Sequence, residues 1–230
     1  MGSGWWMADL FQGGEYVLLF GWIVWVIFSI CMHELAHGWA ALRQGDDTPH
    51  RLGHMTWNPL VHMGPFSLLV FAIVGIAWGA MPVQPMNFRE GRIGDAKVAG
   101  AGPAMNFGLA GIAIVGLIVV LSIQGFRGTS NQALDNLEIF FRIGGVLNIV
   151  LGLFNLIPVP PFDGSVILAS FSPGYERLLQ HPNAQMAGFA VLAVAFFTGA
   201  FGFLFSIGRF VTDGLANMAS GLIAPPPLPI

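Results

Sequence analysis

The chain has 230 residues, 55% hydrophobic and only 9% charged, with a formal net charge of −3. Soluble domains carry about 25% charged residues, so this composition excludes an ordinary soluble domain and points to a membrane protein. The nine basic residues are dispersed, which leaves no footprint for a nucleic-acid partner, and the single cysteine, Cys31, excludes an intrachain disulfide framework.

A transmembrane helix needs about 20 mostly apolar residues. The N-terminal stretch MGSGWWMADL has no basic region, and Asp9 and Glu15 precede the first apolar run, so it does not read as a cleavable signal peptide. The first apolar run extends from Tyr16 to about Leu42 and is free of charge as far as Met32. A shorter run, Pro65 to Met81, has its apolar core between Phe66 and Trp78. That length suits a re-entrant or interfacial segment. Around it, MTWNP and MPVQP are possible short β pieces. The second long run lies between Lys97 and Arg127, and the third between Arg142 and Asp163. Pro158, Pro160 and Pro161 stop the third helix near Ile157, because proline lacks a donor and clashes with the preceding turn. The fourth run goes from about Met186 to Gly208, with Thr198-Gly199 as a flexible point, and the APPPLPI tail reads as extended or disordered. No internal repeat is visible. Small-residue patterns, Gly144-Gly145 and Gly108-Leu-Ala-Gly111, suit close helix packing. The expectation is an all-α polytopic membrane protein of about four transmembrane helices plus one re-entrant or interfacial segment. It forms a single membrane-embedded domain over residues 1–230, with its core at about 16–172 and an additional helix and tail at 173–230.

Near the end of the first run stands MHELAHGWAA, residues 32 to 41. His33 and His37 are four residues apart and share one helix face, about 40° from one another. Two imidazoles so placed can ligate one Zn²⁺, and Glu34 on the adjacent face can take a proton from water activated there. The bland alternative is a set of incidental polar residues at a helix end. In a membrane helix that alternative is costly, since a buried unpaired Glu costs several kcal/mol. Cys31 is about 200° round the helix from His33 and points away.

A catalytic zinc takes about three protein ligands and keeps one position open. Asp163, in NLIPVPPFDG, is the candidate third ligand, because the prolines break the chain and let a carboxylate turn inward. Its competing role is as N-cap of a helix starting around Ser165. On ligand type alone, another divalent ion remains open.

HELAH in a membrane helix, with NLIPVPPFDG in a later one, resembles the site-2 protease family of intramembrane zinc metalloproteases, peptidase family M50. AGPAMN (101–106) is similar to its intervening helix motif, and TWNPLVHMGPF (56–66) to the loop of its small, single-domain prokaryotic branch without a PDZ domain. The resemblance covers about residues 16 to 172. It implies one Zn²⁺ per chain held by His33, His37 and Asp163, Glu34 as the catalytic base, and Asn155 as a second catalytic residue that positions substrate or stabilises the oxyanion. The last role is physically sensible, since charge develops on oxygen in the tetrahedral intermediate. One departure stands out. The family loop usually reads His-X-Asp-Pro, whereas this chain has His62-Met-Gly64-Pro, so it has no carboxylate at that position to anchor the loop. His62 reads as a loop hydrogen-bonding residue, and His50, His54 and His181 as ordinary loop histidines.

The two halves of such a site must meet at one depth. If only the second long run intervenes, the first and third helices run in the same direction and their C-terminal ends meet. Pro65–Met81 is therefore expected not to cross. Arg43, Arg51, Arg89, Arg92, Lys97 and Arg177 then share one side, against Arg127 and Arg209. The positive-inside rule makes that side cytoplasmic. The chain is expected to lie in the cell (inner or plasma) membrane, multi-pass, with its site nearer the cytoplasmic face and its N-terminus outside. The expected partners are the lipid bilayer and a transmembrane protein substrate that unwinds locally and pairs with the segment between Gly53 and Pro85. Two rivals are a membrane metal transporter, which would show polar residues along a path and repeated halves, and a non-catalytic relative that binds membrane helices, which would have lost Glu34 or a ligand.

Overall fold

The computed structural model describes residues 6–127 and 131–223. The proline-rich tail lies outside the described residues. In chain order the helices are α1 (Trp6–Gln12), α2 (Tyr16–Gln44), α3 (Thr48–Arg51), α4 (Pro59–Val74), α5 (Arg92–Arg127), α6 (Gln132–Asn155), α7 (Asp163–Phe171), α8 (Pro173–Leu179), α9 (Ala184–Phe197) and α10 (Ala200–Ile223). Three of them, α2, α5 and α6, are long and apolar enough to cross a membrane, and α9 with α10 makes a fourth if the bent pair is one broken span. The protein is an all-α polytopic membrane protein. Among the described residues there is no strand; the possible β pieces are bends at 55–57 and unladdered chain at 79–84.

The unbroken apolar run of α2 continues through the HELAH cluster and ends at Gly45, whose φ of 97° suits a left-handed cap. Beyond the cap, Asp46 is fully buried. It accepts hydrogen bonds from Thr48 N and Oγ1, Gln84 N and Asn87 Nδ2. One carboxylate thus ties the chain at 84–87 to the end of α2.

Asn58 caps α4 by accepting from Leu60 N at 3.0 Å. Inside α4, Gly64 breaks the helical backbone with φ 68° and ψ 163°. The chain leaves α4 at Gly75 and turns back along it. Ser67 Oγ accepts from Trp78 N and donates to Trp78 O, and Ala80 N donates to His62 O at 2.9 Å. Residues 78–80 therefore lie beside 62–67, and the chain runs back along α4. The TWNPLVHMGPF stretch differs from its reading as a loop: most of it is helix.

The α5–α6 pair is the most extensive in the bundle. Without a hydrophobic force between helices in lipid, such pairs are held by close van der Waals packing at small residues. Gly116 faces the Phe141 ring, and Gly152 faces the Phe107 ring. Gly144 lies under the Trp25 indole, and Gly145 against Thr212. Gly108 and Gly111 differ: among the described residues nothing approaches within 4 Å of a Cβ at either. Trp25, Val26, Ile30, Met63, Phe71, Ala113, Ile143 and Leu147 form one core cluster joining α2, α4, α5 and α6.

Two boundaries depart from the sequence reading. The third span begins at Gln132 rather than near Arg142, because Arg142 is inside the helix and paired with Glu138 and Asp213. The run expected from Met186 to Gly208 is not one helix. Gly199, with φ 73°, separates α9 from α10, and the two axes are bent by 71°. α10 then runs on to Ile223 and packs on α6 and α5.

Candidate metal centre

His33, Glu34 and His37 lie in the second half of α2 and are buried, each less than a tenth exposed. Asp163 is the first residue of α7, immediately after the proline turn that ends α6. Helix capping is not its role, since Phe162 holds the cap position and no side-chain cap bond forms. The turn is tight at Gly164, where a Cβ would stand 2.2 Å from Leu156 O. A glycine there lets the chain double back with the Asp163 carboxylate facing α2.

The result is three ligand atoms in a small triangle. His33 Nε2 and His37 Nε2 are 3.0 Å apart. Asp163 Oδ2 lies 3.2 Å from His33 Nε2, and Oδ1 lies 3.4 Å from His37 Nε2. Ligands held roughly 2.0–2.2 Å from a common zinc at tetrahedral angles stand about 3.4 Å apart. Among the described residues this is the group of His, Cys, Asp and Glu side chains able to hold a metal ion, and Cys31 is not in it.

Further observations show that the donor set fits a cation. Asp163 Oδ2 is buried and, despite its nearness to His33, has no hydrogen-bond partner. His37 Nδ1 faces the Val98 carbonyl at 2.7 Å, so it carries a proton, and in the neutral ring Nε2 is the bare nitrogen. The α5 backbone passes the ring edges at Gly102, where a Cβ would stand 2.5 Å from both Nε2 atoms. The space beside the triangle exists because position 102 has no side chain.

The triangle opens onto a cavity of about 340 Å³ that Glu34 and Asn155 also line. Its lining also includes Gly79, Ala80 and Met81, in the chain returning from α4. Gly79 packs so closely that a Cβ there would lie 2.7 Å from Glu34 Oε1. Asn155 Nδ2 donates to Leu151 O at 3.0 Å, which uses one of its two amide hydrogens and leaves the other for a ligand in the cavity. His62 is buried on α4 and pairs through Nε2 with Thr56 O at 2.7 Å, outside the triangle.

Sequence reasoning assigned no role to several residues that build this site. Gly79 and Gly102 yield space, and glycine in a sequence does not announce close approach. Asn106 and Asn148 were more legible. Each is an amide inside an otherwise apolar run and fully buried, and a polar group in a membrane helix calls for a partner.

The model for peptidase family M50 matches residues 21–198. Over 177 residues the chain is 36% identical to a Bacillus subtilis (strain 168) protein named "Putative zinc metalloprotease YwhC", covering 76% of this chain and 80% of that one. It is 29% identical over 211 residues to "Putative zinc metalloprotease Rip2" of Mycolicibacterium smegmatis (strain ATCC 700084 / mc(2)155), covering 85% and 74%. A Streptococcus pyogenes serotype M3 protein, "Putative zinc metalloprotease SPs1691", is 33% identical over 121 residues, covering 47% and 27%. No solved structure matches.

Proposed function

The chain belongs to peptidase family M50, and we propose that it is an intramembrane zinc metalloprotease that hydrolyses peptide bonds within or near transmembrane segments of other proteins. The observation that carries this reading is the meeting of Glu34 with the His33–His37–Asp163 triangle in one cavity, late in a helix long and apolar enough to span a membrane.

His33, His37 and Asp163 would hold one zinc ion, which when bound supplies Lewis acidity towards water and a peptide carbonyl. Glu34 takes the proton of the attacking water and returns it to the leaving amine. Asn155 turns its remaining N–H towards the oxygen on which charge develops. The apolar walls around the cavity limit bulk water, so the charged groups act in a medium of low polarity.

A helical peptide bond is shielded, so the substrate helix must unwind to reach Glu34. Gly79, Ala80, Met81 and Val83 of the returning chain line the cavity, and this irregular segment is where the unwound substrate would pair. Cleavage that survives proline replacement of Met81 and of Val83 would count against the pairing. We further propose one membrane domain in the cell membrane, with α2 and α6 parallel and the site nearer the cytoplasmic face, supported by the basic residues between α2 and α5. A cysteine introduced at Gln84 or Asn87 should then be labelled from the cytoplasmic side, and labelling from outside alone would reverse the orientation.

Glu34→Gln tests the function. Metal should stay bound while cleavage of a transmembrane substrate disappears. Metal flux across vesicles with no cleavage of any substrate would favour a transporter instead.

A further inference from the structure

We propose that Asn148, which touches no residue of the metal triangle, sets which nitrogen of His33 faces the metal, through a one-way chain of hydrogen bonds that starts at the carbonyl of Gly144. This rests on the reading of His33 as a metal ligand.

The chain has three links. Asn148 Nδ2 meets Gly144 O at 3.0 Å. Asn106 Nδ2 meets Asn148 Oδ1 at 3.1 Å. Asn106 Oδ1 meets His33 Nδ1 at 2.6 Å. Both asparagines are fully buried, so no water can correct a wrong orientation.

A carbonyl only accepts. Gly144 O therefore fixes the Asn148 amide with its nitrogen towards α6 and its oxygen towards α5. That oxygen needs a donor, so Asn106 must present its nitrogen to Asn148 and its oxygen to His33. The Asn106 oxygen also needs a donor, so His33 Nδ1 must carry the proton. In the neutral ring Nε2 is then the bare nitrogen, and it is the one facing Asp163.

His37 has no such chain. Its Nδ1 donates directly to the Val98 carbonyl, and a backbone acceptor cannot flip. The tautomer of His37 is thus set by α5 backbone, whereas that of His33 depends on two side chains that could each turn over. Without Asn148, the Asn106 amide is free to rotate and offer its N–H to His33 Nδ1. That would move the proton to Nε2 and oppose metal binding.

Outer partners of metal-bound histidines orient the ring, and their loss costs about 10–100-fold in metal affinity. The test is chelator competition for zinc with the full-length protein in detergent. Asn148→Leu should bind zinc about 10–100-fold more weakly. Asn106→Asp, added to Asn148→Leu, should restore the affinity. A carboxylate presents only acceptors, so it holds the His33 Nδ1 proton whichever way it is turned. A packing role for Asn148 predicts the opposite, because the second change adds a buried charge and repairs no contact. Wild-type affinity in Asn148→Leu, or no recovery in the double variant, overturns the proposal.

Where Asn148→Leu yields no folded protein, ¹⁵N spectra of the metal-free wild type decide, at a pH where the rings are neutral. His33 should show a protonated Nδ1 and a bare Nε2; the reverse tautomer overturns the relay. A wild type that binds no zinc, with His33→Ala and His37→Ala no different, sinks the metal reading itself, and the ¹⁵N result still judges the relay.

Discussion

Gly79 lies against Glu34 so closely that a methyl group at its Cα would stand 2.7 Å from the Glu34 Oε1 atom. The same methyl would stand 2.8 Å from Ile30 Cγ2, so the intruding group cannot simply lean the other way. The position of the proposed base is thus controlled by a residue in the chain returning from α4.

Gly79→Ala should therefore displace the Glu34 carboxylate while sparing the metal triangle. A misplacement of about 1 Å at a reacting group can cost about 10²-fold in rate. Turnover of a transmembrane substrate should fall by about that factor with zinc content unchanged. Gly108→Ala is the control, since nothing lies within 4 Å of a Cβ there, and it should leave turnover unaltered. Equal turnover in both variants would remove Gly79 from the account of the site.

Much of this arrangement was readable in the sequence. The four-residue spacing of His33 and His37 put both rings on one helix face, and the broken chain before Asp163 allowed a carboxylate to turn back. The demand that these meet also led to the expectation of a non-crossing segment at 65–81, and there residues 78–80 fold back onto 62–67. The parts that were not legible share a cause: they depend on distance between elements far apart in sequence. Gly102 and Gly79 matter through what a missing Cβ lets approach, and Asp46 through donors some 40 residues away. The break at Gly199 was indicated by Thr198-Gly199, yet composition alone joined its two helices into one run.

Gly64 explains the departure from the His-X-Asp-Pro pattern. Its φ of 68° and ψ of 163° lie in a region that is essentially reserved for glycine and costs other residues about 1–3 kcal/mol. Restoring the family residue with Gly64→Asp should therefore lower stability by about that amount. Gly64→Ala should do the same, because a Cβ at this position meets nothing within 4 Å and the penalty is in the backbone. Thermal unfolding in detergent measures both. A gain in stability for Asp alone would show that the loop rearranges to anchor it.

Asp46 makes stability depend on acid. Burial raises its pKa, but the hydrogen bonds from Thr48, Asn87 and Gln84 outweigh this and hold it below its ordinary value of 3.8. A carboxyl whose folded pKa is depressed contributes stability above its unfolded pKa and loses it as the pH falls through the folded one. The contribution is thus complete at neutral pH and fades below about 3.8. Asp46→Ala should cost about 1–3 kcal/mol at pH 7, since the hydrogen bonds from Thr48, Gln84 and Asn87 lose their acceptor. The difference from wild type should shrink in unfolding measured at progressively lower pH below 4. A difference that stays constant into acid would mean the side chain acts by packing alone.

Removal of metal supplies the broadest check on the triangle. A ligand that binds only the folded state stabilises it by about 2.7 kcal/mol at a free concentration one hundred times its Kd. Zinc added to chelator-stripped protein should therefore raise the unfolding temperature in a concentration-dependent way. His37→Ala and Asp163→Ala should each abolish that rise, as each removes one of three ligands. Glu34→Gln should keep it in full, because Glu34 borders the cavity without belonging to the triangle. Loss of the zinc response in Glu34→Gln would instead make the glutamate a ligand, and the division between residues that bind and the residue that moves the proton would have to be redrawn.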